Sequence, residues 1–98
     1  MNLFKFKINE YFSLQGGQLG ITGDMCPDDF PIVTKKSSLK LVSKNRVLHF
    51  FENIGEEIPA RRNLDLRVRA FRTTDNIKTI LDSENINDLY IIGYIDDD

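Results

Sequence analysis

The sequence has one cysteine, Cys26, and one histidine, His49, and each scarcity closes off chemistry. A lone cysteine forms no intramolecular disulfide, so packing and hydrogen bonds must hold the fold, and a reducing compartment suits it. Asp24, Asp28 and Asp29 lie around Cys26 and disfavour its thiolate, which points to an inert thiol. One histidine excludes a metal site built from several imidazoles. A Cys26–His49 nucleophile and base pair would need the two to meet across the fold, and an outward histidine on a strand is the simpler expectation. No Gly-x-x-x-x-Gly-Lys-Ser/Thr loop is present, and Gly16, Gly17 and Gly20 lack the strand-to-helix setting that cradles phosphate, so a GTPase is excluded. No apolar run approaches the roughly 20 residues of a membrane helix. The opening Leu3-Phe4-Lys5-Phe6-Lys7 alternates where a signal peptide would be continuously apolar. A cytoplasmic, cofactor-free protein that is not an enzyme is the expectation.

What is present reads as β structure. Ninety-eight residues make one domain, and 41% apolar with 29% charged residues is the balance of a soluble globular chain. Tyr11 to Met25 reads as a hairpin. Gly16-Gly17 allows the turn, and Leu19, Ile21, Gly23 and Met25 share one face of the return strand. A hairpin is marginal alone, so other strands must cover it. Leu3 to Ile8 supplies one, with Phe4, Phe6 and Ile8 inward, and Asn9-Glu10 joins it to the hairpin. Pro27 and Pro31 lack amide donors and mark a loop, from which Phe30 folds back on the core.

Ile32 to Thr34 and Ser38 to Val42 read as short strands, the second with Leu39 and Leu41 inward. Ser43-Lys44-Asn45 reads as a tight turn with Asn45 left-handed. Arg46 to Glu52 is a strand with both faces partly covered. A loop follows, in which Ile58 plugs the core and the Glu56-Glu57 pair, like Asp28-Asp29, is solvated. Leu64 to Ala70 alternates, Leu64, Leu66, Val68 and Ala70 dry against Asp65, Arg67 and Arg69 charged. Thr73 to Asp82 fits either a strand or a short helix capped by Thr74 with Ile77, Ile80 and Leu81 on one side. Leu89 to Ile95 ends the fold, Gly93 marking a bulge or a close backbone approach. The pattern predicts an all-β fold, a small antiparallel β-barrel over residues 1–95, with residues 75–82 as a short helix or strand and 96–98 as an acidic tail.

Phe12-Ser13-Leu14-Gln15-Gly16-Gly17 followed by Ile21-Thr22-Gly23 resembles the first hairpin of the β-barrel second domain of translational GTPases such as elongation factor Tu. Arg46 to Glu52 and Leu64 to Ala70 are similar, more diffusely, to later strands of that barrel. The resemblance implies a stand-alone barrel of that kind over about residues 8 to 95. Cys26 to Pro31 departs from the family's glycine-bearing loop, and no residues match well enough to carry over an aminoacyl-tRNA site.

Charge is uneven. Up to Thr74 there are 12 Lys and Arg against 8 Asp and Glu; from Asp75 onward there is 1 against 7. Two candidate surfaces follow. Asp82, Glu84, Asp88, Asp96, Asp97 and Asp98 form an acidic end suited to a basic protein partner. Arg61, Arg62, Arg67, Arg69 and Arg72, with Tyr90 and Tyr94 on a nearby strand, suit single-stranded RNA. The expected function is a small binding protein that presents its barrel surface to a macromolecule, most simply a protein. The alternatives are a bacterial immunity protein that neutralises a basic, tRNA- or translation-targeting toxin, and a translation-associated RNA binder.

Overall fold

A computed structural model of the chain describes residues 2–27, 30, 33, 38–57 and 68–95. Strands β1 (Asn2–Ser13), β2 (Leu19–Cys26), β3 (Ser38–Ser43), β4 (Arg46–Phe50), β5 (Ile54–Glu56), β6 (Val68–Thr73) and β7 (Leu89–Ile95) join helix α1 (Lys78–Asp82). The strands form one antiparallel seven-stranded sheet in the order β4-β3-β7-β1-β2-β6-β5.

The link between β4 and β5 dictates the sheet's shape. Laid flat, seven strands would separate the two edges by about 29 Å. Phe51, Glu52 and Asn53 are all that connect them, and such a link reaches about 14 Å. The sheet therefore rolls until its edges approach, as the predicted barrel requires. Phe51 N donates to Leu39 O on one side of the link, and Thr74 N to Asn53 O on the other.

The roll encloses the apolar face. Phe4, Phe6 and Ile8 of β1 lie inward with Leu19, Ile21 and Met25 of β2, Leu39 and Leu41 of β3, Phe71 of β6, and Leu89 and Ile91 of β7. Phe6 meets Phe71 edge-on at 4.8 Å, and Phe30 folds back on Phe4 at 4.9 Å, as the sequence suggested. Gly93 is a close approach, because a Cβ there would come within 2.8 Å of Ser38 O. The hairpin turn forms at Gln15–Gly17, with Gly16 and Gly17 at φ 77° and 76°, a region only glycine enters freely.

Other expectations are corrected. Asn9-Glu10 is no join: β1 runs unbroken to Ser13, and a bulge at Asn9 absorbs the extra residue. In the β3–β4 turn Lys44, not Asn45, has positive φ, at 54°, held by its N–H on Asp88 O. Within residues 75–82 the helix, not the strand, forms, over Lys78–Asp82, with Ile77 and Leu81 buried and Ile80 packed beside them. Thr74 does not cap it; α1 begins at Lys78 without a side-chain cap. The strand at Ile32 to Thr34, the Ile58 plug and the Leu64 to Arg67 half of the alternating strand lie outside the described residues, Val33 alone excepted.

The largest correction concerns β6. Its register places Arg69 opposite Gly23 and Phe71 opposite Ile21, so Arg69, Phe71 and Thr73 face inward while Ala70 and Arg72 face out. Alternation extrapolated from Leu64 and Leu66 has the opposite phase. An inward Phe71 fixes the phase, and the glycine opposite Arg69 contributes no side chain to its place.

Candidate interaction surface

The buried Arg69 side chain needs a counter-charge, and β5 supplies it. Arg69 Nε and Nη2 donate to Glu56 Oε2 and Oε1 in a two-pronged pair, and Arg69 Nη1 donates to Phe30 O at 2.6 Å. Val33 N donates to Glu56 Oε1 at 3.1 Å. The Arg69 side chain is 10% exposed and that of Glu56 2%, so Glu56 is not the solvated loop carboxylate its pairing with Glu57 suggested. This pair fastens Phe30 and Val33 to the barrel.

A second polar cluster closes the roll. Leu41 of β3 faces His49, which turns His49 inward, contrary to the outward position expected of it. His49 Nε2 lies 2.8 Å from Asp75 Oδ2, which also accepts from Glu52 N, while Asp75 Oδ1 accepts from Asn53 N. Thr73 Oγ1 donates to Asn53 O at 2.6 Å. Burial alone would raise the Asp75 pKa, but the His49 hydrogen bond, the two amides and the charge of His49 outweigh it and hold the carboxyl below its ordinary range. Asp75 thus clasps the end of β6 to edge strand β4 and to the β4–β5 link. Cys26 is exposed on the other face of β2, opposite Lys5, so it does not meet His49.

The acidic candidates are engaged within the chain. Asp82 accepts from Tyr11 OH at 2.7 Å and Lys78 Nζ at 2.8 Å. Lys78 first, then Tyr11, lowers its pKa, and the same bond raises that of Tyr11. Glu84 accepts from Arg46 at 2.8 Å, and Asp88 lies 3.8 Å from Lys44. Asp96, Asp97 and Asp98 lie outside the described residues, as do Arg61, Arg62 and Arg67. Of the remaining arginines, Arg69 faces inward and Arg72 outward, paired with Glu57. Tyr90 and Tyr94 do not neighbour them, since β1 and β2 lie between β7 and β6. Arg69 and Arg72 therefore share no platform with those rings.

The structure instead brings together residues that the sequence reading left apart. On the outer face of the sheet Tyr94 lies between Leu3 and Ser38, Ile92 between Lys5 and Lys40, and Tyr90 between Lys7 and Val42. Beyond β3, Lys40 faces Phe50 and Val42 faces Val47. Phe50 is 71% exposed, Leu3 63% and Val47 45%; Phe12, also exposed, lies at the far end of β1, and the other large apolar side chains among the described residues are buried or half-buried. Lys5 Nζ sits 4.2 Å from the Tyr90 ring centroid and Lys7 Nζ 5.8 Å from it. Among the described residues Lys5, Lys7 and Lys40 form no ion pair. The signal was present as two outward alternations, Leu3-x-Lys5-x-Lys7 and Tyr90-x-Ile92-x-Tyr94, but only the long-range pairing of β1 with β7 joins them.

Among the described residues no group of three or more His, Cys, Asp and Glu is placed to hold a metal ion, and no helix is long and apolar enough to cross a membrane. No family model, curated protein or solved structure matches the chain, so the resemblance to the translational GTPase barrel rests on the hairpin residues that suggested it.

Proposed function

We propose that this chain is a protein-binding module whose working surface is the outer face of β4, β3, β7 and β1, and that its partner presents acidic residues around an apolar contact. The observation that carries the reading is the coincidence, on one sheet face, of exposed Leu3, Val47 and Phe50 with three lysines that have no carboxylate partner among the described residues. Exposed apolar residues gathered with a polar rim are the usual composition of a docking surface. The lysines select the sign of the partner. RNA is disfavoured here because Lys5 and Lys7 already occupy the Tyr90 ring, and the described arginines that could add charge are paired with Glu56, Glu57 and Glu84. An immunity role would use this lysine face against an acidic surface of the toxin.

Affinity purification from the native host tests the reading. Wild type should retain a partner that is lost both from Leu3→Ser/Phe50→Ser and from Lys5→Glu/Lys40→Glu, while both variants melt within a few degrees of wild type. A partner retained equally by both variants refutes it.

A further inference from the structure

The two edges of the sheet are finished differently. At β5, Glu56 N donates to Val33 O and the Glu56 carboxylate accepts from Val33 N, so Val33 covers that edge. At β4, Phe51 N donates inward to Leu39 O, and because backbone groups alternate along a strand, the N–H and C=O of Phe50 point away from β3. Neither has a backbone partner among the described residues. The strand itself, Arg46-Val47-Leu48-His49-Phe50, lacks the lysine and proline that commonly blunt an open edge. Its exposed apolar side chains, Val47 and Phe50, belong to the outer face already described.

We infer that the partner engages this chain by adding an extended acidic segment to the free edge of β4, extending the sheet by one strand. The inference rests on the protein-binding reading above and specifies its mode. In strand addition the main chain supplies hydrogen bonds, and alternate side chains of the incoming strand settle beside those of the edge strand. Here those neighbours are Phe50 and Val47, with Lys40 one strand further in, within reach of a long acidic side chain. An incoming strand that alternates apolar and acidic residues on that face therefore meets both chemistries at once. The irregularity at Leu48 keeps the ladder short, so the outer face contributes the rest of the contact.

The probe is a synthetic peptide of Val-Thr-Glu-Thr repeats, which presents valine and glutamate in turn on one face of an extended strand, with a Val-Thr-Lys-Thr version as control, added to the isotopically labelled full chain and followed by amide NMR and hydrogen exchange. The expected result is slowed exchange of the Phe50 amide with the acidic peptide only. Binding should fall about tenfold in Phe50→Thr, which keeps the N–H, and at least a further tenfold in Phe50→Pro, which removes it. Spectra of both variants first establish that each is folded. Shifts at Lys5, Tyr90 and Ile92 without protection of the Phe50 amide overturn strand addition while leaving the docking face intact. Equal response to both peptides, or response only to a single-stranded oligouridine, overturns the strand addition and the protein-binding reading together.

Discussion

Replacing Arg69 by alanine should destabilise the protein far more than any surface charge would. The Glu56 carboxylate, 2% exposed, would keep Val33 N–H but lose the guanidinium fork. The carbonyl of Phe30 would lose a charged donor as well. Removing one partner of a buried ion pair costs about 3–5 kcal/mol, because the remaining charge stays desolvated. A 98-residue domain at ~0.05–0.15 kcal/mol per residue has about 5–15 kcal/mol in all, so the variant folds but with little reserve. At ~4–8 °C per kcal/mol for a domain of this size, the melting temperature should fall by at least 12 °C.

Urea melts with an unchanged slope measure the loss, and added salt should leave the difference nearly constant because the pair is shielded from solvent. The companion variant Glu56→Leu/Arg69→Met should recover most of it, since well-packed apolar residues commonly replace a buried pair at little net cost. An Arg69→Ala loss under about 1 kcal/mol, the value of a solvated pair, would refute an inward Arg69 and with it the phase assigned to β6.

Asp75→Asn should cost about 1–2 kcal/mol at neutral pH. Because the folded-state pKa of Asp75 is lowered, its contribution is complete above the unfolded value near 3.8 and is lost as pH falls through the folded value; acid melts of the variant should lack that step. Tyr11 should ionise above the ordinary 10.0, and Asp82→Asn should bring it back down, as followed by ultraviolet difference spectroscopy with Tyr11→Phe identifying the signal. Gly23→Ala should cost about 3 kcal/mol or prevent folding, since its Cβ would stand 1.9 Å from Lys7 O; a urea midpoint near that of wild type would show that β1 and β2 approach less closely.

Where one strand's own alternation decides its face, the fold was legible. Phe4, Phe6 and Ile8, like Leu39 and Leu41, repeat every second residue with charges between them, and both sets lie inward. Arg69 defeated the same rule because its phase depends on Glu56 and Gly23, residues remote in sequence that no local pattern connects to it. His49 and Asp75 were hidden for the same reason, since only the rolling of the sheet brings them together. A count of charges also hides which acids of the C-terminal end have partners within the chain. Lys78, Arg46 and Lys44 stand beside Asp82, Glu84 and Asp88 in space, but only Lys78 is near its partner in sequence.

The placement of β7 explains why the outer face proposed for docking is basic in a chain whose net charge is −2. Had the last strand paired beside β6, Tyr90, Ile92 and Tyr94 would neighbour Arg72, which Glu57 already neutralises. It enters instead between β1 and β3, whose outward charges are Lys5, Lys7 and Lys40. The same insertion carries Leu89 and Ile91 into the core, so the strand that assembles the outer face also bridges the two halves of the sheet. Under the proposed function docking and folding are thereby coupled: a change that loosens β7 from β1 should scatter the lysines and unfold the barrel together. Binding can be removed without loss of stability only at side chains, such as Leu3 and Phe50, that the core does not use.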